Sequence, residues 1–451
     1  MPLTPHSESG PSSRGGQYAI EAPAEWNGTL LLFTRGLPMS RDDRPFDARD
    51  PLVANLLADG YAVAGVGGPM FWPLEQTFAN ATALLDRFEA EVGKPERTIA
   101  WGFSIGGIMT AGLVELFPER LSGALPLCGN LAGAVGIHNR ELDMAFVVQA
   151  LLGPDSGLEI ARISDPAGNL RVASGLLEDA QRSPQGRARL GLAAAVGGIP
   201  GWYDPHSAEP AADDYAERLR NQVRWFEEPG FLVFFMMRAD VERQAGGNPS
   251  WNDGVDYGDL LSRSAGRAEV EALYGTAGLD LAADLGALAA APRVAADPEA
   301  VAYLERHIVF SGDLGGVPVL TLHTTGDGLV QPDNEDAYRD VVESAGQQEL
   351  LRQLYLHRGG HCTHSIAEFL VSLRALETRI ETGEWPTLEP ETLNAAAAAL
   401  GEELNVLSRG GGAAAPAFVD FEPGAFSRPH DARSQASNSA SMGTSSSAST
   451  L

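Results

Sequence analysis

Three residues of this chain, each in a glycine-bearing turn, are of the types that together attack an acyl carbon. Gly102-Phe103-Ser104-Ile105-Gly106 sets a serine between two glycines, Thr325-Gly326-Asp327-Gly328-Leu329-Val330-Gln331-Pro332 carries an aspartate, and Gly359-Gly360-His361 carries a histidine. A serine hydroxyl is a poor nucleophile until a neighbouring base takes its proton, and that base needs an acid to orient it. Ser104 as nucleophile, His361 as base and Asp327 as acid form such a set. No His-x-x-x-His or carboxylate cluster argues for a metal, so the chemistry is expected to need no cofactor.

G-x-S-x-G is a short pattern that chance can produce, and its context gives it weight. Thr98-Ile99-Ala100-Trp101 reads as a strand running into it, and a helix leaves it and stops before Pro118. The glycines permit the tight strand-to-helix turn that lifts a serine hydroxyl to the top of a sheet. Val317–His323 and Leu351–Leu356 read as later strands, with Asp327 and His361 in the turns that follow them. Leu30–Phe33, Tyr61–Val66 and Leu121–Leu127 complete the apolar strands, and Leu74, Phe78, Ala81, Leu85, Phe88 and Val92 repeat at helical spacing. Strands alternating with amphipathic helices predict an α/β fold with a mostly parallel central sheet flanked by helices.

This sheet rhythm, the serine turn, the Gly-Asp-x-Leu-Val-x-Pro turn and the Gly-His turn resemble the α/β-hydrolase superfamily. The resemblance covers roughly residues 17–130 and 315–385. Glu21–Thr29 and Arg358-Gly359-Gly360-His361-Cys362 are further similar to a group of bacterial esterase-like α/β hydrolases. The resemblance implies a serine esterase that cleaves carboxylic esters through an acyl-enzyme, on Ser104, His361 and Asp327. A peptidase or amidase on the same triad, or a non-catalytic binding protein of the same fold, are the alternatives. Its oxyanion hole would use the backbone N–H of Ile105 and of Leu37, with Gly36 as the alternative to Leu37, because relatives often carry His-Gly where this chain has Arg35-Gly36.

The expected organisation is a flexible arm at 1–16, a hydrolase core at 17–130 and 315–405, a mainly helical cap or lid inserted at 131–314, and a mostly disordered tail at 406–451 rich in Ser, Ala and Gly. Met70, Phe71 and Trp72, just past a strand end, are the candidate substrate pocket. Phe231–Met237 reads as a cap core or as an apolar wall for an acyl group. His323, His357 and His364 are expected to be packed or solvated, and Asp333, Glu335 and Asp336 to form the first turn of a surface helix. Arg35 reads as a salt-bridge partner or as a reader of a substrate carboxylate.

The net charge of −28 disfavours nucleic acid as a partner, and a small hydrophobic ester is expected instead. The sequence contains no apolar run long enough to span a membrane, and the N-terminus lacks the basic and apolar segments of a secretory signal, so a cytoplasmic protein is expected. Cys128 and Cys362 are the only cysteines; both should lie near the active-site rim, as two thiols or one bridge.

Overall fold

The computed structural model describes residues 5–37, 44–68 and 71–430. Among them, one sheet runs in the order β1-β2-β4-β3-β5-β6-β7-β8-β9. Its strands are β1 (His6–Pro11), β2 (Gln17–Ala22), β3 (Thr29–Thr34), β4 (Ala62–Val66), β5 (Arg97–Phe103), β6 (Gly123–Leu127), β7 (Val319–Gly326), β8 (Leu351–Gly359) and β9 (Phe418–Val419). The middle of the sheet, from β4 to β8, is parallel, and β1, β2 and β9 are antiparallel additions at its two edges.

The central strands are buried along their whole length, which is why they read as continuous apolar runs rather than alternating ones. Successive residues still face opposite layers. Leu30 and Leu32 of β3 join a core with the helices Leu74–Glu91 and Ile105–Leu116, whereas Leu31 and Phe33 join one with Pro51–Ala58 and Ile366–Thr382. Helices on both faces of a largely parallel sheet are the expected α/β architecture.

Between β6 and β7 the chain leaves the sheet for a long helical segment, from Gly133–Leu152 to Pro298–His307. Much of this segment packs on a core of its own, built around Phe146, Trp225, Phe226, Phe231, Phe235 and Tyr274. Among the described residues no helix is long and apolar enough to cross a membrane.

Two expectations about the chain ends need correcting. Residues 6–11, expected as part of a loose arm, form edge strand β1, held by its ladder to β2 and by Glu8, which accepts from Tyr18 Oη at 2.8 Å and pairs with Arg87. Polar composition concealed this strand, because only one edge of it needs a partner. Residues 406–430 also pack on the body: Phe418 and Phe426 are buried, Phe421 is exposed, and Arg428 pairs with the buried Asp143. Residues 431–451 lie outside the described residues.

Candidate active site

Four neighbouring strands, β5 to β8, are parallel, so their C-terminal ends lie side by side at one edge of the sheet. Ser104 follows β5, Cys128 follows β6, Asp327 follows β7 and His361 comes two residues after β8. Residues far apart in sequence therefore converge where open α/β sheets hold their ligands.

Ser104 has φ 61° and ψ −128°, a left-handed conformation that L-residues adopt only under constraint. The constraint comes from both flanks: Ser104 N–H donates to Leu127 O at 2.9 Å, and the next helix starts at Ile105. The two motif glycines are required by the passage of β3 beside them. A Cβ at Gly106 would stand 2.2 Å from the Thr34 carbonyl oxygen, and one at Gly102 would stand 2.3 Å from Thr34 Oγ1. Thr34 Oγ1 in turn donates to Gly106 O at 2.7 Å, tying the end of β3 to the first turn of the helix after Ser104.

Asp327 is fully buried. Its Oδ1 accepts from Leu329 N–H at 3.0 Å and Val330 N–H at 2.9 Å, so its own turn holds the carboxylate. Its Oδ2 lies 2.6 Å from His361 Nδ1. That contact assigns a proton of His361 to Nδ1 and turns Nε2 away from Asp327. Burial works against a charge on His361, but the charge and hydrogen bond of Asp327 outweigh it and raise the ring above the ordinary histidine range. In this structure Nε2 lies 3.3 Å from Cys362 Sγ, and Ser104 Oγ makes no hydrogen bond among the described residues.

The His361 turn is braced from behind. Arg358 is buried, donates to Thr363 O at 2.7 Å, and makes a two-pronged pair with Glu368 at 2.8 and 2.9 Å. Glu368 belongs to a capping box with Ser365 that starts the Ile366–Thr382 helix.

Ser104, Ile105, Leu37 and His361 line one cavity of about 70 Å³, together with Val233, Met237, Leu329 and Arg409. A second chamber of about 40 Å³ adjoins it, sharing Asn130, Glu141, Val233 and Leu329. Ile105 is the first residue of its helix, so its N–H has no acceptor within that helix. The apolar run at 231–237 divides by helical position: Phe231 and Phe235 pack into the core of the helical segment, while Val233 and Met237, four residues apart, face the cavity.

The three residues expected to form a substrate pocket do not come together on this cavity. Met70 lies outside the described residues. Phe71 lines a small recess with Arg35, Gly36, Leu37 and Ile105. Trp72 is buried against His138, and its backbone N–H donates to Asp240 Oδ2 at 3.1 Å. The turn after β4 meets the helical segment there, and its large ring is taken up by that contact.

Arg409 lines the cavity and had no signal in the sequence, because it reaches the site from beyond the last long helix. Its guanidinium lies 4.5 Å from the centre of the Phe103 ring, and among the described residues it pairs with no carboxylate. The expected surface turn at Asp333–Asp336 is partly internal: Asn334 and Glu335 are fully buried. Glu335 accepts from Thr321 Oγ1 at 2.6 Å and Gln353 Nε2 at 2.8 Å, and faces His323.

Cys128 and Cys362 are buried free thiols that face each other. Burial first, then the neighbouring Cys362, pushes the Cys128 thiol well up. Cys128, His323 and Asp327 bring one ligand atom each within 4.8 Å of one another. Both ring nitrogens of His323 are engaged with oxygen acceptors, however, so the ring offers no lone pair to a cation.

No family model matches this chain. It is 31% identical over 422 residues, 85% of its length and 89% of the relative's, to the o-phthalyl amidase of Xanthobacter agilis. Among solved structures it is similar to an esterase from Aspergillus oryzae, with 15% identity and a TM-score of 0.39 over 84% of this chain and 80% of that one. It is also similar to the acylaminoacyl peptidase of Pyrococcus horikoshii, with 11% identity and a TM-score of 0.38 over 87% of this chain and 44% of that one.

Proposed function

Because this chain belongs to the α/β-hydrolase superfamily, in one family with the Xanthobacter agilis amidase, we propose that it hydrolyses amides of a carboxylate-bearing aromatic acyl group on a Ser104–His361–Asp327 triad. The observation that carries the triad is the 2.6 Å contact of Asp327 with His361, whose ring reaches the cavity that Ser104 lines. Hydrogen bonds between nucleophile and base are often loose without substrate and tighten when it binds.

In this reading Ser104 Oγ attacks the acyl carbon while His361 Nε2 takes its proton. The oxyanion is held by the N–H groups of Ile105 and Leu37, both on the cavity wall. His361 then gives its proton to the departing amine, leaving an acyl-enzyme that water hydrolyses by the same steps in reverse. The 131–314 segment acts as the cap, supplying Val233 and Met237 as apolar wall.

Two features support the acyl preference. The relative's name specifies a phthalyl group, an aromatic acyl with a carboxyl beside the scissile carbonyl. Arg409 offers an uncommitted guanidinium on the Ser104 cavity, in a chain with 28 more acidic than basic residues. A planar cation stacked on Phe103 suits such a carboxylate. Ester cleavage is the second reading, since the same machinery serves both bonds and Leu37, Val233 and Met237 make the wall apolar.

The test measures kcat/KM for phthalyl and benzoyl amides of one amine, and for the matching esters, with wild type, Ser104→Ala and Arg409→Ala. Wild type should favour the phthalyl amide, Ser104→Ala should abolish turnover and fluorophosphonate labelling, and Arg409→Ala should lose about 10–100-fold on phthalyl substrates only. Turnover retained in Ser104→Ala would remove the triad reading. An Arg409→Ala loss shared equally by benzoyl substrates would remove the carboxylate reading.

A further inference from the structure

We infer that His323 is a permanently charged imidazolium that positions Asp327, completing a buried chain of alternating charge, Glu335–His323–Asp327–His361, behind the candidate nucleophile. This deepens the triad reading above and rests on it.

The charge state follows from the partners. His323 is fully buried in β7, two strands from the nucleophile strand. Its Nδ1 lies 2.9 Å from Glu335 Oε1, and its Nε2 lies 2.8 Å from the carbonyl oxygen of Val330. The Val330 carbonyl only accepts, so Nε2 donates; Glu335, whose Oε2 already accepts from Thr321 Oγ1 and Gln353 Nε2, is read as a carboxylate that accepts from Nδ1 as well, and the ring then carries two protons. Burial opposes that charge, but the hydrogen bond that Nδ1 donates to Glu335, with Cys128, Glu335 and Asp327 around the ring, raises its pKa to about 9.

The positioning role follows from Val330. Its N–H holds Asp327 Oδ1 at 2.9 Å, and its carbonyl receives His323 Nε2–H. One imidazolium thus pins the residue whose N–H grips Asp327. The same nitrogen stands 3.7 Å from Asp327 Oδ2, the oxygen that faces His361. Asp327 therefore lies between two histidines, one permanently charged and one that must gain a proton during catalysis. The positive charge of His323 offsets part of the carboxylate's field at His361 and holds the base less basic than Asp327 alone would make it. Other ionisable groups facing this chain are Cys128 from the end of β6, Cys362, His364 and Arg409 around His361, and Asp333, Tyr338 and Tyr355 around His323 and Glu335.

Two measurements test this in the full-length protein. With 15N-labelled histidine, wild type at pH 7 should show a buried ring with both nitrogens protonated and two slowly exchanging ring protons that is absent from His323→Gln/Glu335→Gln, whereas any such signal from His361 should remain in the variant. A neutral, singly protonated His323 would overturn the inference without any variant having to fold. In kinetics, the double variant swaps a buried ion pair for a neutral amide pair. Because the lost positive charge is nearer to His361 than the lost negative one, the acid limb of kcat/KM should move up by about one pH unit. An unmoved limb, with or without reduced activity, would leave His323 a purely structural residue and overturn the inference. Ser104→Ala is measured in parallel: full activity there would fell the triad reading, whereas an inactive Ser104→Ala with an unmoved limb fells only this one.

Discussion

The two halves of the candidate site are built by different means. On the nucleophile side, backbone does the positioning: Ser104 is forced to φ 61° between Leu127 O and a helix start, and Gly102 and Gly106 leave room for Thr34 to pass. On the Asp327 and His361 side, buried side-chain pairs are added to the backbone: Asp327 with His361, Glu335 with His323, and, behind the turn, Arg358 with Glu368. A backbone device tolerates almost no added atom. A side-chain network tolerates shape but depends on every proton being in place.

Substitutions on the two sides should fail in different ways. The largest expected effect is Asp327→Asn. The asparagine keeps an oxygen for Leu329 and Val330 N–H, so the fold should survive, but its amide donates toward His361 Nδ1 and selects the wrong tautomer. A fall of about 10⁴ in kcat with an unchanged unfolding midpoint is expected; a loss under tenfold would mean that His361 is not oriented by Asp327.

Gly106→Ala should break the other half in the opposite manner. The new methyl meets a backbone oxygen at 2.2 Å, and neither strand end has freedom to move. Stability should fall by about 3 kcal/mol in urea unfolding, with activity lost through a displaced Ser104. Unchanged stability would show that β3 does not confine the serine turn as described.

The smallest effect concerns protons rather than turnover. His364 is buried without a protein partner for either ring nitrogen, and burial, aided by Arg409, Arg358 and His361, lowers its pKa to about 3. The unfolded chain binds a proton there near the ordinary histidine value and the folded chain does not. Stability is therefore complete above about pH 6.5 and falls as the pH drops toward 3, by about 2–3 kcal/mol near pH 4.5. His364→Phe should flatten that decline when urea midpoints are followed against pH, while Gly106→Ala should shift the whole curve without changing its slope.

Legibility in the sequence follows the same division. Glycines flanking Ser104, Asp327 and His361 mark turns at strand ends, and strand and helix periods are local properties, so the strands of the core, its mostly parallel sheet and the three candidate residues could be read in the sequence, but not the order of the strands. Edge strand β1 could not be, because an edge needs no apolar pattern. Glu335 looked like a surface carboxylate because its position at a helix start is equally suited to solvent. Nothing local distinguishes it from Asp336, its neighbour in the same first turn.

Residue types and turn spacing determined by themselves that a serine, an aspartate and a histidine stand at the ends of parallel strands, since backbone geometry is dictated by short stretches of chain. Only the tertiary structure decided which side chains surround them. It set Arg409 on the cavity from the far end of the chain, took Trp72 away into a contact with His138, and enclosed His323 between Glu335 and the carbonyl of Val330. Those choices depend on which strands become neighbours and on what is left buried between them, and a charge is defined by its partners in space rather than by its place in the sequence.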